Sequence, residues 1–430
     1  GVEVLIMAFF LIQGGRHLRG EIEARGFKNA ATPILAASLL SSQPSKIENI
    51  PLIEDIFRMI ELIKSLGVKV DWLNKRDLII QSSCFQPEKV DQKVIRQMRS
   101  SILLWGVLAA KRDSFQTPSP GGCLIGARSV ETHLNAFREL GWEIESNKGG
   151  LYYFNRGKNW SDGKDKEIIL DEFSVTATEN LMIAAAVRSG KTIIKIAAAD
   201  PSVQDLGRFL IKMGVRIKGL GTNTLTICGR KKLKGASYKI MPDPIEVGTF
   251  ISLAAATKSN LTIKNVPVDY LTFPLKKFRE IGVDFYVEKN KVIVKPSHYF
   301  NPVKIQTLPY PGFPTDLQAP VSVLLTQAKG VSLVYETMYE GRFRYVQDLK
   351  KMGANISIND AHQILITGPT PLYGKEIKSY DLRAGASLII AALIAHGESK
   401  IDDIYQVDRG YEKIEERLQR IGAEIERISE

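Results

Sequence analysis

Six times along the chain a helical stretch ending in leucine, isoleucine or methionine runs into a glycine and then into alternating apolar residues: LIKSLGVKV, AFRELGWEI, FLIKMGVRI, KKFREIGVDF, DLKKMGANI and RLQRIGAEI. The glycines are Gly67, Gly141, Gly214, Gly282, Gly353 and Gly422, at intervals of 68 to 74 residues. A glycine at a helix end takes the left-handed conformation that stops the helix. The period-two run after it is the pattern of a strand with one buried face. Six copies at near-constant spacing are an internal repeat, and a repeat dictates architecture before any other feature is considered.

A second helix type precedes each copy: AATPILAASLL, SILLWGVLAA, ATENLMIAAAVRSG, GTFISLAAATKSN, LQAPVSVLLTQAKG and AGASLIIAALIAHG. These segments are apolar on nearly every side and rich in alanine, so they are expected inside a domain. Most are followed by a short β-branched run such as NLTIKNVP or KTIIKIAAADP, which reads as a strand. Each unit is therefore strand, buried helix, strand, amphipathic helix, strand, and six units give three to each of two domains. Helices inside and sheets outside make each domain a threefold bundle. A TIM barrel would bury its strands and leave its helices amphipathic.

At 430 residues the chain is long enough for two cores. Cys84, Cys123 and Cys228 are odd in number and lack CxxC spacing, which argues against a disulfide framework or structural zinc and for a reducing compartment, the cytoplasm. Cys84 and Cys228, in strand-like surroundings, read as structural. The most apolar stretches, Val4 to Ile12 and Ala384 to Ala395, fall short of the roughly 18 residues of a membrane span and read as buried elements. The first also lacks the basic flank and cleavage site of a signal peptide. A formal net charge of +11 suits a polyanion. With no zinc finger and no aromatic-interleaved basic segment, small anions are favoured over nucleic acid. Neither GxGxxG between strand and helix nor GxxxxGK[ST] occurs.

Several residues stand where helix N-termini and arginines could gather an anion. Lys28 and Asn29 open a buried helix; they could face an anion, or Asn29 could be an N-cap and Lys28 a surface residue. Arg99, followed by two serines, has the same form, with Arg96 as the solvent-facing alternative. Cys123 follows Gly121 and Gly122 and precedes Arg128 in SPGGCLIGAR. It is either a reactive thiol, its pKa lowered by the guanidinium, or a small buried hydrophobe. In YPGFPTDLQAP three prolines and a glycine deliver Asp316 to the start of a buried helix, as a first-turn residue or as a base toward a hydroxyl. Arg342, Asp381, Arg383 and Arg409 lie at loop ends near the C-terminus, as an anion clamp or as surface ion pairs.

The chain resembles the enolpyruvyl transferases, on KNAATPILAA, MRSSILLWG, PGGCLIGAR, PGFPTDLQA, EGRF, DLRAGASL and DRGYEKIE, in order over nearly its whole length. The resemblance implies two inside-out α/β domains of three βαβαββ units each. The first comprises 28–241 with a mobile cysteine loop at about 114–128, the second 1–27 with 242–430, and the active site lies in the cleft between them. Within the family it implies the branch that moves the enolpyruvyl group of phosphoenolpyruvate to the 3'-hydroxyl of UDP-N-acetylglucosamine. Phosphate leaves through a tetrahedral addition-elimination intermediate, with no metal or organic cofactor, and neither nucleic acid, membrane nor an obligate protein partner is implied.

By the same resemblance Cys123, Asp316, Lys28 and Arg409 are catalytic. Lys28, Arg99, Cys123, Arg128, Arg342, Arg383 and Arg409 bind phosphoenolpyruvate. The nucleotide sugar takes Asn29, Arg99, Arg128, Ser129, Val130, Glu131, Ser174, Val175, Thr176 and Asp316, and Asp381 is a supporting carboxylate. The sequence departs from the family in SVTAT, where SVGAT is usual, in Glu172, where some members have a lysine, and in ARSVE for ARPVD. Pro244 stands for a frequent arginine, and FNRGKNWSDGKDKE lengthens a hairpin. The alternatives are the branch acting on shikimate 3-phosphate, which has no matching cysteine loop, and an inactive nucleotide-sugar-binding paralogue, which would be expected to have lost arginines or Asp316.

Overall fold

The computed structural model describes residues 8–90, 95, 96, 98–121, 130–147, 149–158, 160 and 163–429. They divide into two compact units, one between Gly26 and Met241 and the other from the residues up to Arg25 and from Pro242 onward. Each contains three sheets.

In the unit that holds both chain ends, three helices buried along their length, Pro244–Ala256, Gln318–Leu325 and Leu382–Ile394, pack against one another. All thirteen residues of Pro244–Ala256 are buried. The strands show one buried and one less buried face, as in Asn260–Lys264, so each sheet lays a single face on the helices. This is the inside-out α/β arrangement that the alanine-rich segments require.

All six repeat glycines have positive φ, from 78° to 111°. At four of them the N–H of the residue after the glycine returns to a carbonyl five residues back, as Val215 does to Leu210 and Val283 to Phe278, closing the helix with a Schellman turn. The chain then reverses directly into the next strand.

The strand order shows what a linear repeat conceals. Arg19–Glu23 pairs in parallel with Asn260–Lys264, Ile22 opposite Ile263. Ala8–Gln13 lies between Glu398–Asp402 and Glu424–Ser429, with Phe10 opposite both Ile401 and Arg427. In the other unit Ser237–Lys239 pairs in parallel with Ser45–Glu48. Thus three of the six sheets are completed by a strand from the far end of their segment. Five sheets have four strands; the sheet of Ser114–Pro118, Trp142–Ser146 and Leu151–Arg156 has three among the described residues.

The structure corrects three local expectations. Residues expected to begin the cysteine loop form the strand Ser114–Pro118, paired with Leu151–Arg156. The lengthened segment after Phe154 is not a hairpin: Leu151–Arg156 and Lys166–Ile169 lie in different sheets. The connection is fastened by buried Trp160 and by Arg188, whose guanidinium donates to the carbonyls of Trp160, Lys164 and Lys191. Cys84 is exposed, beyond its strand, with Gln86 against its sulfur.

Candidate functional site

The anion-binding residues expected near the C-terminus come together in the unit that holds the chain ends. Asp381 is the N-cap of Leu382–Ile394, its Oδ1 accepting from the N–H groups of Arg383 and Ala384 at 2.9 and 3.0 Å. That cap puts Arg383 in the first helical turn, where it is buried. Asp316 comes from the 3-10 turn Thr315–Leu317, and Thr315 is anchored on the fully buried Glu336 at 2.8 Å. Glu336 also receives Thr307 and the N–H groups of Met338 and Tyr339, so one carboxylate fixes both the Asp316 turn and the approach to Arg342.

On this frame Arg342 Nη2 donates to Asp316 Oδ1 at 2.6 Å, and Arg383 Nε lies 3.4 Å from Asp316 Oδ2. The arginine side chains are 8% and 4% exposed and Asp316 20%, so this is a largely desolvated cluster and not a surface ion pair. Burial opposes the charge on Arg342, but Asp316 and Asp381 outweigh it and raise its pKa. For Arg383 burial is likewise outweighed, by Tyr411, Asp316 and Asp243. The Nε atoms of both arginines are buried without a hydrogen-bond partner, donors that an anionic ligand's oxygens would satisfy. Arg409 follows the short helix Tyr405–Asp408 and donates to Gln406 at 3.2 Å.

Two residues of this region were not singled out from sequence. Asp243 caps Pro244–Ala256 through Ile245 and Glu246. Burial pushes its carboxyl up to about 7, with Arg383 lowering and Glu246 raising it. The pair Asp243 and Pro244 is a cap followed by proline at the first helical position, a signal legible in PDPIEVGTF. Tyr411 is buried against Arg383.

The other unit carries the described residues expected for the nucleotide sugar apart from Asp316, and two of its helix starts meet through hydrogen bonds centred on a neutral ring. Ser174 caps Val175–Ala185 by accepting from Ala177, and Val130 precedes Glu131–Leu140. These two helix starts are tied together: Thr132 donates to Glu172 at 3.2 Å and His133 Nε2 meets Thr176 Oγ1 at 3.1 Å. Asn180 fixes the direction of the second contact. Its Oδ1 accepts the Gly106 N–H at 2.8 Å, so its Nδ2 donates both to Ile102 and to His133 Nδ1. The imidazole proton is therefore on Nε2 and points to Thr176. Burial, with the charge of Arg99 added, drives the His133 pKa down to about 3, so the ring is neutral throughout the physiological range.

Lys28 does not stand alone at its helix start. Its Nζ is 2.6 Å from Asp55 Oδ2, with side chains 16% and 7% exposed. Asn29 is not the N-cap; Phe27 is, without a side-chain cap bond. Arg99 opens the 3-10 turn Arg99–Leu103 and is half-buried, while Arg96 is exposed. Glu131 pairs with Arg138 at 3.0 Å on the surface. Cys123, Arg128 and Ser129 lie outside the described residues. Among the described residues no cluster of metal-ligating side chains occurs, and no helix is long and apolar enough to cross a membrane.

Units with their helices inside three sheets, one of them carrying a buried arginine pair on an aspartate, are the architecture of enolpyruvyl transferases. A sequence model of the family EPSP synthase (3-phosphoshikimate 1-carboxyvinyltransferase) matches residues 12–418, and the chain belongs to that family. The UDP-N-acetylglucosamine 1-carboxyvinyltransferase 1 of Caldanaerobacter subterraneus is 45% identical over 97% of this chain and 99% of its own length. The UDP-N-acetylglucosamine 1-carboxyvinyltransferase of Halothermothrix orenii is 42% identical over 98% and 100%. The enolpyruvyl transferase NikO from Streptomyces tendae superposes with a TM-score of 0.89 at 22% identity, over 99% of this chain and 100% of its own. An EPSP synthase from Acinetobacter baumannii gives 0.76 at 18% identity, over 98% and 100%. These two structures share the fold.

Proposed function

We propose that this chain transfers the enolpyruvyl group of phosphoenolpyruvate to the 3'-hydroxyl of UDP-N-acetylglucosamine and releases phosphate, the first committed step of peptidoglycan synthesis. The observation that carries the reading is the near full-length identity of 45% to a protein named for that reaction. The buried arginines on Asp316 give it a chemical basis.

The sugar oxygen bonds to C2 of phosphoenolpyruvate while C3 gains a proton; the C2–O bond to phosphate then breaks as C3 loses a proton, restoring the double bond. Asp316 is the acceptor of the hydroxyl proton. Held between two guanidinium groups it is a weak base, because each cation stabilises the charge it would have to give up. A substrate carboxylate that draws Arg342 and Arg383 toward itself leaves Asp316 the stronger acceptor. Cys123 takes part in protonating C3, and Arg128 binds phosphoenolpyruvate. Lys28, Arg99 and Arg409 complete the set that meets phosphoenolpyruvate. Asn29, Val130, Glu131 and the run from Ser174 to Thr176 meet the nucleotide sugar with Ser129. Asp381 supports Arg383 through its cap. The chemistry as written uses no metal or cofactor, and the reducing compartment read from the three sparse cysteines assigns the reaction to the cytoplasm.

Phosphate release from phosphoenolpyruvate, measured with UDP-N-acetylglucosamine and separately with shikimate 3-phosphate, tests the reading. Release only with the nucleotide sugar is expected. Release only with shikimate 3-phosphate would move the chain to the other branch, and release with neither would make it a binding paralogue. Cys123→Ser is expected to slow turnover severely with nucleotide-sugar binding intact, since a hydroxyl is a far weaker acid than a thiol. Full activity of that variant would make Cys123 a structural residue.

A further inference from the structure

Beside its carboxylate contact with Asp316, Arg383 is held by one neutral side chain. Its Nη1 donates to Tyr411 Oη at 3.3 Å, and its guanidinium lies 5.5 Å from the centre of the same ring. The tyrosine hydroxyl is fixed in turn by Thr249 Oγ1 at 2.9 Å, on the buried helix Pro244–Ala256. Tyr411 is 1% exposed, and its backbone N–H closes on Val407 at 2.9 Å, stabilising the turn that carries Arg409. A side chain at Gly410 would overlap Leu382, so this turn is seated directly on the helix that bears Arg383. Meanwhile Arg383 Nε is buried with no hydrogen-bond partner, although Asp316 is close.

The geometry points to Tyr411 as a positioning residue that holds the Arg383 fork, and the turn bearing Arg409, in place to receive an anionic substrate group. A guanidinium left to itself would turn all its donors to Asp316, the nearest carboxylate. Sharing one Nη with a neutral acceptor limits that pairing and leaves a buried donor for ligand oxygens. This role rests on the proposed enolpyruvyl transfer, with the arginines facing phosphoenolpyruvate.

The test is Tyr411→Phe, which keeps the ring under the guanidinium and removes only the hydroxyl. The expected result is a rise of about tenfold in KM for phosphoenolpyruvate, the scale of a lost hydrogen bond to a charged group. KM for UDP-N-acetylglucosamine stays within about twofold, because the lost bond lies in the anion cluster. In an Arg383→Lys background the same substitution adds little, since the partner is already gone. A uniform change in both KM values, or an effect that is additive in the double-mutant cycle, would reduce Tyr411 to a packing residue. Thr249→Val frees the hydroxyl from its other partner and should produce a smaller rise in the same KM; this variant serves if Tyr411→Phe does not fold. Calorimetric binding of phosphoenolpyruvate to wild type and variant separates the two readings. If wild type releases no phosphate yet binds phosphoenolpyruvate more tightly than Tyr411→Phe, the positioning role stands and the reaction does not. Equal affinities would end the role whatever the reaction is.

Discussion

The arginine cluster of the unit with both chain ends and the His133 junction of the unit between them bury their polar groups in opposite ways. In the first, Arg342 and Arg383 are cations that cannot be neutralised by losing a proton, so burial obliges the fold to supply Asp316 and Asp381 around them. In the second, His133 responds to burial by staying neutral, and the order around it comes from directed hydrogen bonds through Asn180 and Thr176. A charged cluster with orphaned donors is suited to an anion that replaces one of its own carboxylates. A neutral relay with every ring nitrogen satisfied is suited to holding two helix starts at a fixed spacing. The difference predicts that changes in the arginine cluster act chiefly on phosphoenolpyruvate and changes at the His133 junction chiefly on the nucleotide sugar.

The largest effect is expected from Arg342→Ala. It removes the 2.6 Å partner of Asp316, whose carboxylate is partly buried. A lost charged hydrogen bond of roughly 1.5 to 3 kcal/mol corresponds to a fall in kcat/KM for phosphoenolpyruvate of about 10- to 100-fold. Nucleotide-sugar affinity, read by calorimetry, should stay within about threefold. Equal losses on both substrates would erase the division of labour between the arginine cluster and the His133 junction.

The next concerns pH. Asp243 has its carboxyl raised from the ordinary 3.8 to about 7 by burial, so the folded chain holds a proton there that the unfolded chain has released. The sign follows: stability is greatest below about pH 4 on this account and falls as pH rises toward 7, by on the order of a few kcal/mol. Asp243→Asn keeps the oxygen that caps Ile245 and Glu246 and cannot ionise. Its urea midpoint, relative to wild type, should therefore climb between pH 5 and 8. A constant difference across that range would mean that Asp243 is ionised beside Arg383 at every pH.

In the neutral unit Asn180→Ala is the matching cut. It strands the Gly106 N–H, the Ile102 carbonyl and His133 Nδ1, all buried. The expected cost is about 2 kcal/mol of unfolding free energy, with a severalfold rise in KM for the nucleotide sugar as the two helix starts lose their spacing. An unchanged nucleotide KM in a destabilised variant would make the relay purely structural.

What could be read from sequence follows the range of the interactions. The glycine stops were legible because a helix cap is made by neighbours: Gly214 and Val215 close on carbonyls within the same helix. Asp316 and the arginines were legible through proline turns and helix starts, again local. Tyr411 was not, because its partners Thr249 and Arg383 are 162 and 28 residues away. The same holds for Asp55 opposite Lys28 and for His133 with Asn180: nothing in either short stretch announces the other. Local reading also misplaced Cys84, where a strand-like neighbourhood concealed an exposed turn, and it missed the strand Ser114–Pro118, whose partner lies beyond a helix and another strand.

The smallest effect tests the boundary of the comparison. Glu172 is an exposed carboxylate near the start of the helix capped by Ser174, held by Thr132 at 3.2 Å. It is a negative charge beside a junction whose buried contacts run through the neutral His133 ring. If the diphosphate of the nucleotide sugar passes this junction, the carboxylate repels it, and Glu172→Lys should lower the nucleotide KM about twofold to fivefold in low salt. The gain should fade toward 0.5 M salt, because an exposed charge is screened within a few ångströms there. Thr132→Val separates charge from geometry: it removes the hydroxyl that holds the carboxylate and leaves the charge, so it should shift the same KM by less than the reversal does. A nucleotide KM indifferent to Glu172→Lys at every salt concentration would place the diphosphate away from this junction.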